Sequence, residues 1–390
     1  MKNKRWKQEI TIYSFVLFML GIMIMIILYP KKTVSESERR KLAARPVLTI
    51  ESLLDKSFME DTEAYLLDHF PFREKLRRIK AYFAYDVLMQ KENNGIYVAN
   101  GHASKLEYPL NEASIKRLAQ KMTALKQQYF AEQNTWYAMI PDKNYYLAAV
   151  NGYPSIDYDL MVSSLYEELG KQDGEFQYID IFSSLEIDDY YHTDTHWKQE
   201  NLFDTAVCIA DALGVKEYLN LQEANFEIKK INDFYGVYYG QAALPMDPDT
   251  ISYLTNETIH AASVWNLEKN MLNGTVILPE EEGALLEPIY QLDVPEGTLR
   301  LDKYDVYVGG AASLQRIKSP NAASDKKLII FRDSYTSSLV PLFLEAYSEI
   351  VLVDLRYISS SLLGEYVDFA DADILFLYGV SIVNNASILK

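Results

Sequence analysis

The pattern of hydrophobic and polar positions begins with one long apolar segment. An uncharged run extends from Ile10 to Tyr29. An apolar helix of about 20 residues spans the ~30 Å hydrocarbon core of a bilayer. The chain continues with Pro30-Lys31-Lys32 and offers no small-residue cleavage site, so the pattern predicts an uncleaved signal anchor. Four basic residues precede the run: Lys2, Lys4, Arg5 and Lys7.

We expect residues 1–32 to form a cytoplasmic stub and a transmembrane signal anchor. Basic residues between Lys31 and Arg45 rival those before the helix, so the charge rule alone does not fix the orientation. Long C-terminal domains, however, translocate largely regardless of such charge. We therefore predict a single-pass protein of the cell membrane, whose extracytoplasmic C-terminal domain follows a polar tether at residues 33–57.

Beyond the tether, helical and strand-like patterns alternate. Strand followed by helix, repeated along a chain, is typical of a parallel sheet covered on both faces. The pattern therefore predicts an α/β domain with three layers. Helical spacing of apolar residues occurs at 58–90, 113–132, 157–172, 201–213, 336–346 and 362–369. Strand-like apolar runs occur at Gly95–Val98, Thr135–Ile140, Tyr178–Ile181, Leu328–Phe331, Ile350–Val353 and Ile374–Tyr378.

Residues 215–324 interrupt this alternation. Glycines and prolines are scattered through the segment, and its short apolar runs lie between turn signals such as Asn273-Gly274. The pattern predicts a β-rich insertion between two parts of one α/β domain, which are residues 58–214 and residues 325–390.

Composition narrows the classes of function. Hydrophobic residues make up 49% of the 390 residues, which is ordinary for a folded chain. The formal net charge of −17 argues against a nucleic-acid partner, because binding a phosphate backbone requires a basic face. Tyrosine is common, with 30 copies; it stacks on sugar rings, but it is also a good half-buried residue. The single cysteine, Cys208, forms no intramolecular disulfide and leaves the compartment undecided.

Ser334 is the candidate nucleophile. It follows the predicted strand Leu328–Phe331, where a helix is about to begin. In open parallel sheets, catalytic groups gather where strands end, and a helix N-terminus there favours an oxyanion. The alternative is that Ser334 or Asp333 only caps the following helix, which is a common role for these residue types.

Asp194 and His196 are the candidate acid and base. At a spacing of two in an extended segment, both side chains point to the same side. The carboxylate can then fix the imidazole tautomer and leave the other ring nitrogen free as a base. A histidine satisfied structurally is one alternative, and a metal site formed with His192 is another. With Ser334, the pair supplies the parts needed for acyl transfer through a serine ester.

Further candidates lie near strand ends or beside the main residues. Arg356 and the Tyr378-Gly379 pair follow the last two predicted strands, where a parallel sheet places oxyanion-stabilising or substrate-binding groups. Arg356 could instead pair with a carboxylate, and Tyr378 could belong to the core. Tyr335 and Trp197, which follow the nucleophile and the base in sequence, are candidates for the same roles.

Six short motifs resemble the bacterial DHHW protein family, which is related to the SGNH-like alginate O-acetyltransferases. The resemblance runs from about residue 36 to the C-terminus and is weakest over 215–324. The motifs are Ser37-Glu38-Arg39-Arg40-Lys41-Leu42, Asp68-His69-Phe70-Pro71-Phe72-Arg73, Asn94-Gly95-Ile96-Tyr97, Asp194-Thr195-His196-Trp197, Asp333-Ser334-Tyr335 and Asp354-Leu355-Arg356-Tyr357.

The resemblance implies an SGNH-hydrolase-like sheet with a permuted motif order, in which the acid–base pair precedes the nucleophile. It implies a membrane-anchored O-acetyltransferase that acts on a cell-surface or secreted polysaccharide through an acetyl-serine intermediate. Ser334 then looks like the nucleophile, His196 like the base and Asp194 like its orienting acid. No cofactor is implied, and a membrane-bound O-acyltransferase partner commonly supplies the acetyl group.

Two departures from the family pattern matter. Thr195 stands where the name-giving motif has its first histidine, and Arg332 precedes Asp333 where SGNH esterases have glycine. The second departure leaves the oxyanion hole unassigned. A polysaccharide O-acetyl esterase is one alternative function, because water can replace the sugar hydroxyl. A catalytically inactive polysaccharide-binding surface protein is another, although such a protein has no need for nucleophile, base and acid together.

Overall fold

The structure is a computed structural model of the chain and describes residues 2–35, 37–171, 175–272, 274–292 and 302–390. Asn273 of the predicted turn and residues 293–301 of the predicted insertion lie outside the described residues. The chain forms two compact units. One comprises Met1–Asn94 with Tyr239–Pro245, and the other Gly95–Tyr238 with Met246–Lys390. The boundaries predicted at residues 58, 215 and 325 do not coincide with the limits of these units.

The first unit begins with the predicted membrane helix, α1 (Lys2–Leu28). Within it, the 23 residues Trp6–Leu28 contain a window of mean hydropathy 2.6, and none of that window is buried. By length and composition the helix can cross a membrane, although an N-terminal signal sequence has the same properties.

Two of the family-like motifs bind each other in the first unit. The Arg40 guanidinium donates to Asp68 at 2.5 Å, and Arg73 donates to Glu38 at 2.5 Å. The bond from Arg40 holds the pKa of Asp68 down at about 2. The break predicted at Pro71 is confirmed, because one helix ends at Asp68 and the next begins at Arg73. The elements are β1 (Val34–Ser35), β2 (Arg40–Lys41), α2 (Ile50–Leu54), α3 (Ser57–Asp68) and α4 (Arg73–Tyr82), and a π-turn follows at Phe83–Val87.

The second unit is built on an eight-stranded sheet. This unit contains, in the main sheet and in separate hairpins, the strands β3 (Ile96–Ala99), β4 (His102–Lys105), β5 (Thr135–Ile140), β6 (Gln177–Ile179), β7 (Glu227–Phe234), β8 (Asp249–Thr255), β9 (Ser263–Asn266), β10 (Met271–Leu272), β11 (Thr275–Val276), β12 (Leu286–Pro288), β13 (Leu314–Lys318), β14 (Lys327–Arg332), β15 (Glu349–Val353) and β16 (Ala372–Gly379). The main sheet has the order β12-β9-β13-β15-β14-β16-β5-β6, and β15-β14-β16-β5-β6 are parallel. Four of the five contain a predicted apolar run and β6 shares Tyr178 and Ile179 with another, so the predicted parallel sheet is confirmed.

Residues 215–324 supply part of this sheet. Strands β12, β9 and β13 extend it antiparallel from β15, while β7 and β8 form a separate hairpin. The segment is β-rich, as expected, but it is joined to the main sheet by the ladder between β13 and β15. Strands of three to five residues carry too few alternating positions for the sequence to show where they pair.

Helices cover both faces of the parallel strands. Because side chains alternate across a strand, Leu328 and Ile330 of β14 pack into one hydrophobic cluster, whereas Ile329 and Phe331 pack into another. This gives the three predicted layers. The helices are α5 (Glu112–Tyr129), α6 (Lys143–Asn151), α7 (Tyr158–Gly170), α8 (Phe203–Ala212), α9 (Val237–Ala242, which begins in this unit), α10 (Glu257–Ala261), α11 (Thr336–Leu339), α12 (Leu363–Tyr366) and α13 (Val380–Val383).

Polar residues collect at one edge of the sheet. The carboxyl ends of parallel strands share an edge, so the residues that follow β5, β14, β15 and β16 are brought together. These are Asp142 and Lys143 after β5, Asp333 and Ser334 after β14, Asp354 after β15, and Gly379 at the end of β16.

Candidate active site

Ser334, His196 and Asp194 form one hydrogen-bonded relay. The Ser334 Oγ lies 2.8 Å from His196 Nε2, and His196 Nδ1 lies 2.5 Å from Asp194 Oδ1. Asp194 is fully buried and His196 is nearly so, whereas Ser334 is half-buried. The Asp194 carboxylate accepts the Nδ1–H, which leaves Nε2 to accept the serine proton. The structure thus brings together the three residues that the sequence singled out.

The Asp194 carboxylate is held from the far side by a loop that sequence reasoning missed. Its Oδ1 also accepts the His196 backbone N–H at 3.0 Å, and its Oδ2 accepts the Val237 N–H at 2.7 Å. Gly236 makes this approach possible, because a Cβ there would lie 2.3 Å from the Asp194 Cβ. Only a residue without a side chain fits between the loop and the acid.

Aromatic rings fix the orientation of the base. The His196 ring stacks on Tyr304 with a centroid distance of 3.9 Å and an interplanar angle of 9°. The edge of the site is closed by Tyr335, whose ring lies 5.1 Å from the imidazole at 63°. The Tyr304 hydroxyl donates to Ser338 at 2.8 Å, so the stacking ring is itself held in place. The imidazole is therefore prevented from rotating away from Ser334.

Tyr335 and Trp197 join the two motifs, and a substrate role for Tyr335 stays a prediction. The Tyr335 hydroxyl donates to the Thr195 carbonyl at 2.9 Å and contacts the Thr195 Oγ1 at 3.0 Å. The Trp197 indole N–H donates to the Tyr335 carbonyl at 2.9 Å and to Ser338 at 3.0 Å. Trp197 is fully buried, so it has no surface to offer a substrate. Both side chains position the segment that carries the nucleophile.

Asp333 occupies two backbone donors that could have formed an oxyanion hole. Its carboxylate accepts the Tyr335 N–H at 3.1 Å and the Gly379 N–H at 2.7 Å. A Cβ at Gly379 would lie 3.1 Å from this carboxylate, so the close approach favours glycine. Burial raises the pKa of Asp333, and the two N–H donors oppose that rise. The Ser334 N–H has no hydrogen-bond partner within the described part of the chain and is left as a donor for an oxyanion.

Arg356 and Tyr378 lie beside this edge of the sheet, as their positions in sequence predicted. Arg356 donates to both carboxylate oxygens of Asp354, at 2.9 and 2.6 Å, while its side chain keeps 22% of its surface exposed. Burial lowers the pKa of Arg356, but Asp354 and Asp333 outweigh burial and raise it. Tyr378 is buried, and its hydroxyl has no partner among the residues described. A substrate role for either residue stays a prediction.

Arg332, which stands where SGNH esterases have glycine, is buried and stabilises the end of β14 through hydrogen bonds. Its guanidinium donates to Gln315 at 2.7 Å, to Ser337 at 2.9 Å and to the Gly310 carbonyl at 3.3 Å. Burial lowers its pKa. These contacts tie the end of β14 to β13 and to the first turn after the nucleophile.

The metal alternative does not fit this geometry. The His192 Nδ1 lies 3.1 Å from Asp249, and the His192 ring stacks on His102 at a centroid distance of 4.3 Å. The Asp194 carboxylate is hydrogen-bonded to His196 instead of pointing to a shared metal position with His192. Over the residues that the structure describes, no group of three His, Cys, Asp or Glu side chains is arranged to hold a metal ion.

Lys143 is a further residue that sequence reasoning missed. It follows β5, is almost fully buried, and donates to the carbonyls of Tyr191 at 2.8 Å and His192 at 3.2 Å. Burial lowers the pKa of Lys143 to about 7, although the charges of Asp194 and other carboxylates oppose this. The ammonium group holds the loop that leads into the acid–base pair.

Comparison with known proteins adds a likeness in fold. No family model matches the chain, and no match was found among curated proteins. The structure is similar to a DHHW family protein from Eubacterium siraeum, with a TM-score of 0.58 and 20% identity over 76% of this chain and 94% of that chain. It is also similar to PatB1 of Bacillus cereus, with a TM-score of 0.54 and 15% identity over 74% of this chain and 96% of that chain. At these identities the likeness shows the fold alone, and at that level it confirms the predicted resemblance.

Proposed function

We propose that this chain is a membrane-anchored, extracytoplasmic O-acetyltransferase that modifies a polysaccharide through an acetyl-serine intermediate. The observation that carries the proposal is the unbroken relay from Ser334 through His196 to Asp194, with contacts of 2.8 and 2.5 Å. A serine hydroxyl is a weak nucleophile until an adjacent base removes its proton. The 2.8 Å contact between Ser334 and His196 is within the range that proton transfer requires, and the contact with Asp194 orients the imidazole.

In the first half-reaction, the Ser334 Oγ attacks the carbonyl carbon of an acetyl ester while His196 Nε2 takes the hydroxyl proton. The tetrahedral intermediate carries its negative charge on the former carbonyl oxygen, towards which the Ser334 N–H can donate. The bond to the donor oxygen then breaks, and His196 returns the proton to that oxygen. Asp194 stabilises the imidazolium throughout.

In the second half-reaction, a sugar hydroxyl attacks the acetyl-serine. His196 takes the proton of that hydroxyl, the bond to the Ser334 Oγ breaks, and the proton passes to the serine. The same base and the same oxyanion donor serve both halves. Water in place of the sugar would give an esterase, so the acceptor decides between the two reactions.

The remaining parts of the proposal rest on the fold and on the N-terminal helix. The likeness to the DHHW family protein and to PatB1 supports an SGNH-like sheet, for which we propose the permuted order of motifs. Helix α1 supports a single membrane anchor. We also propose that a membrane-bound O-acyltransferase presents the acetyl group, since both proteins would lie at the same membrane.

The test uses the full-length protein in detergent micelles with 4-nitrophenyl acetate as donor. The intact protein should gain the mass of one acetyl group, located on Ser334 by peptide mapping, and Ser334→Ala should gain none. His196→Gln should slow both acetylation and release of 4-nitrophenol. Equal acetylation of the wild type and Ser334→Ala would overturn the mechanism. Release of acetate alone, with every oligosaccharide offered, would assign an esterase.

A further inference from the structure

The second unit carries an aromatic groove that the proposed reaction does not use. It has a volume of about 430 Å³, which is within the range of small-ligand sites. Strand β6 and the turn after it form one side, and helix α7 forms another. The residues that matter here are Tyr145, Asp159, Tyr166, Tyr178, Asp180 and Phe182.

Two of these rings are unusually exposed for their size. Tyr166 keeps 65% of its surface exposed and Tyr145 keeps 40%. Neither hydroxyl has a protein partner among the residues described. Exposed tyrosines gathered in one groove present flat apolar faces together with free hydroxyl groups, which is the combination that an amphipathic ring can stack on and hydrogen-bond to.

The Tyr145 ring is held rigidly in place. It makes edge-to-face contacts with Tyr146, Tyr158 and Phe182, with centroid distances of 4.9, 5.0 and 5.1 Å and interplanar angles of 80 to 87°. Asp142 accepts the Tyr145 backbone N–H at 3.2 Å, which fixes the first turn of α6. A platform that is already rigid loses little entropy when a ligand stacks on it.

The polar groups of the groove select the charge of the ligand. Asp159 and Asp180 are exposed at its rim, and no lysine or arginine is among the described residues that line it. Carboxylates accept hydrogen bonds from hydroxyl groups but repel anionic ligands. Beside the groove, Tyr137 is buried against Tyr178, with a ring distance of 5.1 Å, and its hydroxyl has no partner in the described part of the chain.

One end of the groove lies at the same edge of the sheet as the nucleophile. Phe182 follows β6 and Tyr145 follows β5, while Ser334 follows β14. The order β14-β16-β5-β6 puts β6 three strands from β14, which is roughly 15 Å at the usual strand separation. Helix α6 lies between the two regions, because its Tyr146 ring is 5.8 Å from Tyr190, close to the loop that carries His196.

We infer that this groove is a subsite for an uncharged, hydroxyl-rich oligosaccharide segment of the acceptor. The inference rests on the proposed function for its biological meaning, but the binding it describes is independent of catalysis. Tyr166 and Tyr145 stack on the sugar rings, and Asp159 and Asp180 accept hydrogen bonds from sugar hydroxyl groups. A polymer held there would extend along the edge of the sheet towards Ser334.

The test measures binding by isothermal titration with the full-length protein in detergent micelles. The ligands are cellohexaose and the anionic hexamer of galacturonic acid. Cellohexaose should bind and the anionic hexamer should not. Tyr166→Ala should weaken binding of cellohexaose about tenfold, as expected for loss of one stacked ring. Tyr166→Phe keeps the ring and should retain most of the affinity.

The controls separate this inference from the proposed function. Leu160→Ala removes an exposed side chain of the same helix that does not line the groove, and it should bind as the wild type does. All three variants should release 4-nitrophenol at the wild-type rate, because the groove does not touch Ser334. Wild-type affinity in Tyr166→Ala, or equal binding of the anionic hexamer, would overturn the subsite. Absence of ester cleavage in the wild type would instead count against the proposed function.

Discussion

Replacing Gly236 with alanine should disable the site although Ser334, His196 and Asp194 all remain in the chain. The added Cβ would lie 2.3 Å from the Asp194 Cβ, 2.4 Å from its Cα and 2.5 Å from its backbone nitrogen. Ordinary contact begins at about 3.4 Å, so the loop and the acid must separate by about 1 Å. Two of the obstructing atoms belong to the backbone at Asp194, so no change of side-chain rotamer relieves the clash.

The consequence for catalysis follows from the size of this shift. A displacement of about 1 Å in a catalytic constellation costs on the order of 100-fold in rate. It would lengthen the 2.5 Å contact between Asp194 and His196, and it would break the 2.7 Å hydrogen bond from Val237. We therefore expect kcat/KM for 4-nitrophenyl acetate to fall about 100-fold in Gly236→Ala.

The matched control is Gly170→Ala. Gly170 ends α7, its φ is not positive, and an added Cβ would meet no atom within 4 Å. This variant should keep wild-type activity. Circular dichroism and thermal unfolding should show that both variants are folded, so that a loss of activity in Gly236→Ala is not caused by unfolding.

A double-mutant cycle tests the reasoning most directly. If Gly236 acts through the acid, Gly236→Ala should cost little more in an Asp194→Ala background, because the contact it disturbs is already gone. An equal loss in both backgrounds, or full activity in the single variant, would refute the argument.

Three other changes have expected outcomes. Val237→Pro removes the N–H that Asp194 accepts while keeping a residue allowed at a helix start, so kcat/KM should fall at least tenfold, and Val237→Ala should not share the loss. Lys143 has its pKa lowered by burial to about 7. The unfolded chain therefore binds the extra proton between pH 7 and 10, and stability should rise with pH by up to ~4 kcal/mol, a rise that Lys143→Met abolishes in urea titrations. Arg332→Lys should lower the free energy of unfolding by about 2 kcal/mol, because lysine lacks the planar fork that binds Gln315 and Ser337; an unchanged urea midpoint would contradict this.

The sequence correctly predicts the strands and turns that depend on local pattern. Thr135–Ile140 was predicted as a strand and is β5, and the turn predicted at Asn100-Gly101 joins β3 to β4 with both residues at positive φ. Apolar runs in parallel strands are continuous because both faces are buried, so they stand out. The position of Ser334 was predictable for the same reason, because it follows such a run, whereas Asp194 and His196 were predicted from their spacing and from the family resemblance.

Prediction from local pattern failed where a proline or contacts with residues distant in sequence decide the conformation. The helix predicted over 336–346 is α helical only at Thr336–Leu339 and continues as a 3₁₀ turn at Val340–Phe343, since Pro341 cannot donate to a helical ladder. Helix α6 was missed altogether. Its polar start at Lys143 and Asn144 is buried by contacts with distant residues, which no helical period reveals.

Residues 215–324 show how contacts that local pattern does not reveal affect the prediction of the site. The sequence pattern predicts this segment as an insertion, so none of its residues was predicted to belong to the site. In the structure, Gly236 and Val237 of this segment contact Asp194. Asp249 accepts the Thr193 backbone N–H, and the Tyr304 ring stacks on His196. Each contact orients the acid or the base but takes no part in bond making. We therefore expect that replacing this segment with a short linker would leave Ser334, His196 and Asp194 in the chain but their relay disordered, because residues 215–324 hold both the acid and the base in place.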